Sequence, residues 1–364
     1  MKRLYFLLIL ILLCHLSAAG ATAQALESEA LFAMEDFEVL CSAQDENGNL
    51  CIGGRTKMPK GRLICVDTTG NTLWSVENDL PGGDWYSSIV PCGDGRSMAL
   101  HQQIDSAFTH HLEMIEQGQV VQTTQLPDEQ AFSLYPAEDG VLLLTGSAID
   151  ATHLSKWSYD GKQLWKLDFG KGYRFDEMFT LEDGYLGIGY HIPNQNSAGD
   201  AAVCLIGKEG DFIREYFSEK DSRWIDAAIV DQTLFLCGRE ETLEAFQSMV
   251  ASCTSVEDLH QNRYTPRKDR DFITFALHPW EDGFLTANQL FNKQPGRMVL
   301  VQYSRDCTLI RMWEQICEEI QNFWYCQLYQ QNNQVLAVVC GSDNNIKIKK
   351  MQVIRVTPPQ ENAE

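Results

Sequence analysis

Hydrophobic and polar positions along the chain recur in a fixed order. An aromatic-rich stretch comes first, then a short polar turn, then an apolar run. The turns are Glu46-Asn47-Gly48, Gly93-Asp94-Gly95, Glu138-Asp139-Gly140, Glu182-Asp183-Gly184, Val230-Asp231-Gln232, Glu281-Asp282-Gly283 and Gln331-Asn332-Asn333. Their last residues lie 47, 45, 44, 48, 51 and 50 positions apart. Asp-Gly and Asn-Gly suit two-residue hairpins, whose central residues both take φ > 0. The runs that follow are VLLLTG (141–146), YLGIGY (185–190), TLFLCG (233–238), FLTANQL (284–290) and QVLAVVCG (334–341). Runs so short and so apolar predict strands buried on both faces.

A second turn recurs half a unit later, at Asp67–Gly70, Glu116–Gly118, Asp160-Gly161, Lys208–Gly210 and Arg305-Asp306, with a degenerate form at Glu257-Asp258. Each unit therefore holds four strands joined by two hairpins and a variable middle connection, such as Pro193–Asp200. The first turn occurs seven times and the second six, because the chain ends on the third strand of unit seven, over Ile346–Val356. Residues 28–35 precede the first unit and supply the missing fourth strand. The expected fold is all-β: a seven-bladed β-propeller of four-stranded antiparallel blades, with the last blade closed by an N-terminal strand. One domain spans 24–364, with units starting near 37, 85, 131, 173, 223, 271 and 322. A pair of β-sandwiches, or an α+β protein, is the structural rival. No helical periodicity extends beyond about ten residues; Thr242–Val250 and Trp313–Gln321 come nearest.

The stretch Leu63-Ile-Cys-Val-Asp67-Thr-Thr-Gly70-Asn-Thr-Leu-Trp74 resembles a quinoprotein-type (PQQ-like) propeller repeat, in which a strand precedes Asp-x-x-Gly-x-x-x-Trp. Ser158-Tyr-Asp160-Gly161-Lys-Gln-Leu-Trp165 is similar, one residue shorter. In this pattern Gly makes the turn and Trp packs apolar surface between blades. The resemblance implies the superfamily fold and no quinone. Quinone enzymes of that type often hold the cofactor against adjacent cysteines, and this chain has no Cys-Cys pair. The period is WD40-like, without Gly-His and Trp-Asp pairing. The sialidase pattern Ser-x-Asp-x-Gly fails because Gly161 comes one place early.

Residues 1–23 read as a secretory signal peptide: Lys2 and Arg3, an apolar run from Leu4 to Leu16, then Ala21-Thr22-Ala23. The alternative is a membrane anchor through residues 4–23. The expected location is secreted or extracytoplasmic. With 50 acids against 29 bases the net charge is −21, which excludes nucleic-acid binding by phosphate neutralisation and adhesion to anionic membranes. Of 12 cysteines, Cys14 lies in the signal. Most others occupy strand-like apolar runs and read as small core residues. Cys326 and Cys340 flank a hairpin and are the expected disulfide.

Candidate chemistry sits in the segments entering each first strand, which a propeller gathers at one mouth of its channel. Asp84, Trp85, Arg174, Asp176, Arg223, Asp226, Arg270, Asp271 and Trp324 are the candidate ligand-binding residues. Arg offers a two-pronged donor, Asp accepts hydrogen bonds, and Trp offers a flat apolar face. The structural alternative is that these residues tie neighbouring blades together. No catalytic residue, metal site or cofactor is expected. HExxH, GxSxG, P-loop and zinc spacings are missing, and Asp45-x-Asn47-x-Asn49 has Leu50 where a calcium loop needs Gly. The basic stretch Arg263–Arg270 reads as a solvated linker. The expected function is an exported binding or scaffold module for an extracellular protein, peptide or glycan. The alternatives are a hydrolase or lyase with Asp176, Asp226 or Asp271 and a histidine at the same mouth, or a structural component of a cell-envelope assembly.

Overall fold

The computed structural model describes residues 24–357 apart from 26, 58, 79, 81, 105–106, 128–129, 147–150, 193–198, 242–245, 254–266, 271, 291–296, 317–319, 321 and 343–348. Residues 1–23, the turn at Glu257-Asp258, Arg263–Pro266 and Asp271 lie outside the described residues, as do Cys14 and Cys317. Among the described residues every element is a strand, and these form seven sheets. The chain is a seven-bladed β-propeller. Its first strands are Phe37–Gln44, Asp84–Gly93, Gln130–Ala137, Tyr173–Leu181, Ser222–Val230, Phe272–Trp280 and Asn322–Gln331. Each first strand touches those of the blades on both sides, and the seventh returns to the first.

Blade seven takes its outer strand from the start of the chain. Glu27–Glu35 pairs antiparallel with Lys349–Thr357, from Glu27 opposite Thr357 to Glu35 opposite Lys350. Upstream, Gln24–Ala25 runs parallel to Trp313–Glu314 on the edge of blade six. At the inner end, Ser42 Oγ shares hydrogen bonds of 2.7 Å with the hydroxyls of Tyr325 and Tyr329 of blade seven.

The core consists of seven apolar clusters, one between each pair of neighbouring blades. Strand alternation explains the continuous apolar runs. Leu234 and Leu236 face blade four, whereas Phe235 and Cys237 face blade six. Leu336, Val338 and Cys340 face blade one, and Val335, Ala337 and Val339 face blade six. The same alternation corrects the expected disulfide. Cys326 points into the core towards blade six, where its Sγ lies 4.0 Å from Met298 Sδ, while Cys340 points towards blade one. The sheet itself separates the two sulfurs, and no bridge joins them.

Several Asp-Gly turns also have a different basis from the expected one. Gly140 and Gly283 do not take positive φ, and Gly184 sits at 155°. Each begins a second strand, and a Cβ there would collide with a third-strand carbonyl: Trp157, Tyr303 and Ile206 respectively. Close strand approach, rather than turn conformation, requires glycine at 140 and 283, and at Gly184 the two demands combine.

In the second turns glycine meets both demands. Gly118 and Gly210 take φ of 80° and 81°. A Cβ would lie 2.8 Å from Trp74 Cβ at the first and 2.6 Å from the Trp165 ring at the second. The Trp of one blade thus rests on the turn glycine of the next, and Trp165 Nε1 donates to the Lys208 carbonyl at 2.9 Å. We expect Gly210→Val to cost about 1–3 kcal/mol, from a strained φ and the displaced indole. Urea unfolding followed by tryptophan fluorescence measures this; an unchanged midpoint would contradict the contact.

Candidate functional site

All seven first strands carry a β-bulge at the same place. The register shifts at Leu40, Ser87, Phe132, Asp176, Ile225, Phe275 and Trp324. The residue before each bulge is buried: Val39, Tyr86, Ala131, Phe175, Trp224, Thr274 and Phe323. A bulge re-aims a side chain at a sheet rim. Here it turns most of the next residues away from the inter-blade core, although Phe132 and Phe275 still pack against it. Six of the seven bulge residues line a central cavity of about 670 Å³, and Ser133 represents the third blade. That volume lies within the range of small-ligand pockets.

The wall is polar on one side. Asp176 and Trp324 are exposed, and Arg223, Arg239, Glu177 and Asp226 join them. Asp226 Oδ1 accepts from Ala227 N at 2.8 Å and Oδ2 accepts from Leu277 N in the next blade at 2.7 Å. Ser88 likewise bridges to the next blade from the position after its own bulge, accepting from Leu134 N at 2.9 Å. Burial pushes the Asp226 carboxyl up to about 7 despite its two donors. Burial, reinforced by the charge of Asp226, pushes Glu177 up to about 8. At neutral pH Glu177 therefore keeps its proton and can donate a hydrogen bond into the cavity.

The arginines at this end stack on aromatic rings. Arg174 lies over Phe132 at 4.6 Å, and Arg223 over Tyr190 at 5.7 Å, each reaching the preceding blade. Arg55 lies over Trp85 at 5.6 Å, and Trp85 also meets Phe108 at 5.4 Å. Of the sequence candidates, Asp176, Arg223, Asp226 and Trp324 come together at the cavity. Trp85 and Arg174 are engaged between or within blades, outside the cavity lining. Arg270 ends the outer strand Arg267–Arg270 of blade five, and only its backbone is described. No histidine is among the described residues lining the cavity.

Asp84 has a different place. It is fully buried, and its Oδ2 lies 2.7 Å from His101 Nε2. His101 Nδ1 lies 2.8 Å from Glu113 Oε1, and the Tyr86 hydroxyl donates to Glu113 Oε2 at 2.9 Å. Burial alone would lower the His101 pKa, but hydrogen bonds to Asp84 and Glu113 outweigh it and raise it to about 9. Asp84 holds a buried imidazolium inside blade two and does not face the channel.

Sequence reasoning missed Glu177, Arg239 and the bulge ring. No pattern within a single strand signals the bulge, which is a slip in pairing between two strands.

Comparison with known proteins gives the fold and nothing finer. No family model matches the chain, and no curated protein matches it. Solved structures do. The Synechocystis apocarotenoid oxygenase (a Trp149Ala mutant by its own numbering) aligns with a TM-score of 0.50 at 10% identity, covering 76% of this chain and 71% of that one. The subtype N10 neuraminidase-like protein of A/little yellow-shouldered bat/Guatemala/060/2010 aligns with a TM-score of 0.44 at 10% identity, covering 74% and 93%. Their chemistry does not transfer at such identity.

Proposed function

We propose that the chain is an exported binding module, a β-propeller on quinoprotein-type repeats, that captures an oxygen-rich glycan or peptide segment at the mouth of its central channel. The observation that carries this reading is the cavity of about 670 Å³ where Asp176, Glu177, Arg223, Arg239 and Trp324 converge. Arg223, Arg239 and protonated Glu177 offer donors, Asp176 offers an acceptor, and Trp324 offers a flat face for a sugar ring or an aliphatic side chain. Screening glycan and peptide libraries against the full chain tests it. We expect Trp324→Ala and Arg239→Ala each to weaken capture by roughly tenfold or more, with little change in thermal unfolding. Binding that survives both substitutions would refute the reading.

One observation favours a second reading as a hydrolase or lyase. A carboxyl held protonated at neutral pH, as at Glu177, is what a general acid requires. On that reading Glu177→Gln abolishes turnover of a captured ligand while leaving its affinity in place.

A further inference from the structure

Blade one brings two cysteines face to face, away from the channel site. Cys51 and Cys65 are direct partners in the antiparallel ladder between Leu50–Thr56 and Gly61–Val66. The Cys51 thiol donates to Cys65 Sγ at 3.5 Å. Both are 2% exposed and belong to the core between blades one and two. Cα atoms of cross-strand partners stand about 4.5–5.5 Å apart, within the 4.4–6.8 Å that a disulfide spans. Side-chain rotation alone therefore brings the sulfurs to bonding distance. A cavity of about 140 Å³ on the turn face is lined by both cysteines together with Asn47, Asn49, Trp74 and Arg96. Its hydrogen-bonded contact with Cys51, and then burial, hold the Cys65 thiol well above its usual range, so Cys65 rests as a neutral thiol.

We propose that Cys51 and Cys65 form a redox site that closes to a disulfide within blade one, with a small-molecule or protein disulfide as oxidant. One thiol loses its proton and its sulfur attacks the oxidant's S–S bond. A mixed disulfide forms, and one oxidant thiol leaves and takes up a proton. The second cysteine then loses its proton and attacks the mixed disulfide, releasing the other oxidant thiol. Two protein thiols are oxidised by two electrons, and one external disulfide is reduced to two thiols. The bridge ties together strands otherwise joined through the connection at 57–60, which restricts the unfolded chain.

The test uses the full chain, reduced and then exposed to oxidised glutathione both when folded and during refolding from urea. Thiols are counted in denaturant, and tryptic digests are run without reductant; Arg55, Lys60 and Arg62 separate the two cysteines into different peptides. We expect two thiols lost, one linked peptide pair, and an unfolding midpoint several degrees above that of the reduced protein. The link persists in Cys14→Ser, Cys41→Ser and Cys92→Ser, which alter the other cysteines on those peptides, and disappears in Cys51→Ser and Cys65→Ser. A wild-type chain that keeps all its thiols under both conditions would overturn the proposal. So would a link that survives Cys51→Ser.

Discussion

A chain lacking residues 24–35 loses its cooperative unfolding transition. Those residues include the outer strand of blade seven, which pairs with Lys350–Thr357. Leu31, Phe32 and Met34 pack against the cluster between blades seven and one. The Leu31 backbone also lies directly against turn glycine Gly70 of blade one. Deletion leaves a three-stranded blade with an open edge at the one seam where the two ends of the chain meet. A propeller is a ring, so strain at that seam reaches every interface. The expected loss is comparable with the whole ~5–15 kcal/mol stability of a folded domain. Circular dichroism and urea titration measure it, and a synthetic peptide of residues 27–35 restores the transition. A truncated chain that melts sharply near the wild-type midpoint would mean that closure adds little.

Asp84→Ala costs about 3–5 kcal/mol, because it takes one partner from a buried charged group and leaves the rest behind. His101 is 1% exposed, and the alanine would leave it with Glu113 as its one remaining carboxylate. Replacing Asp84, His101 and Glu113 together by leucine recovers most of that loss, since a packed apolar trio needs no desolvated charge. The same network predicts weakening in alkali. The folded pKa of His101, about 9, lies above its ordinary 6.5. Its contribution, at most about 3 kcal/mol, is fully present below about pH 6.5 and lost as pH rises through 9. Glu177 and Asp226, raised to about 8 and about 7, also favour the protonated folded state, so their contributions fade with rising pH from about 4 upward. Urea midpoints across pH 5–10 separate the effects. In His101→Leu the slope between pH 8 and 9 flattens; a wild-type slope there would place the alkaline sensitivity elsewhere.

The blade count was legible because turn spacing is a one-dimensional signal. Seven first turns against six second turns left one strand missing, and SEALFAME supplied it at Glu27–Glu35. The apolar second strands were legible too, since alternate residues such as Leu142 and Leu143 must each find a neighbouring blade. The bulges were not, because a bulge is a slip in pairing between two strands, and one strand read alone does not reveal it. Asp84 looked like a mouth residue because it opens a first strand. Its inward course depends on His101, seventeen residues away on the adjacent strand. Glu177 was hidden behind Asp176: the bulge sends Asp176 to the open channel and leaves Glu177 in the wall, where burial protonates it.

A co-crystal structure of the chain with a glycan or peptide that it captures tests the functional account most directly. The ligand should lie in the channel mouth, against Trp324 and within hydrogen-bond reach of Arg239 and Glu177. Density on the turn face or the outer rim, with an empty mouth, would contradict it.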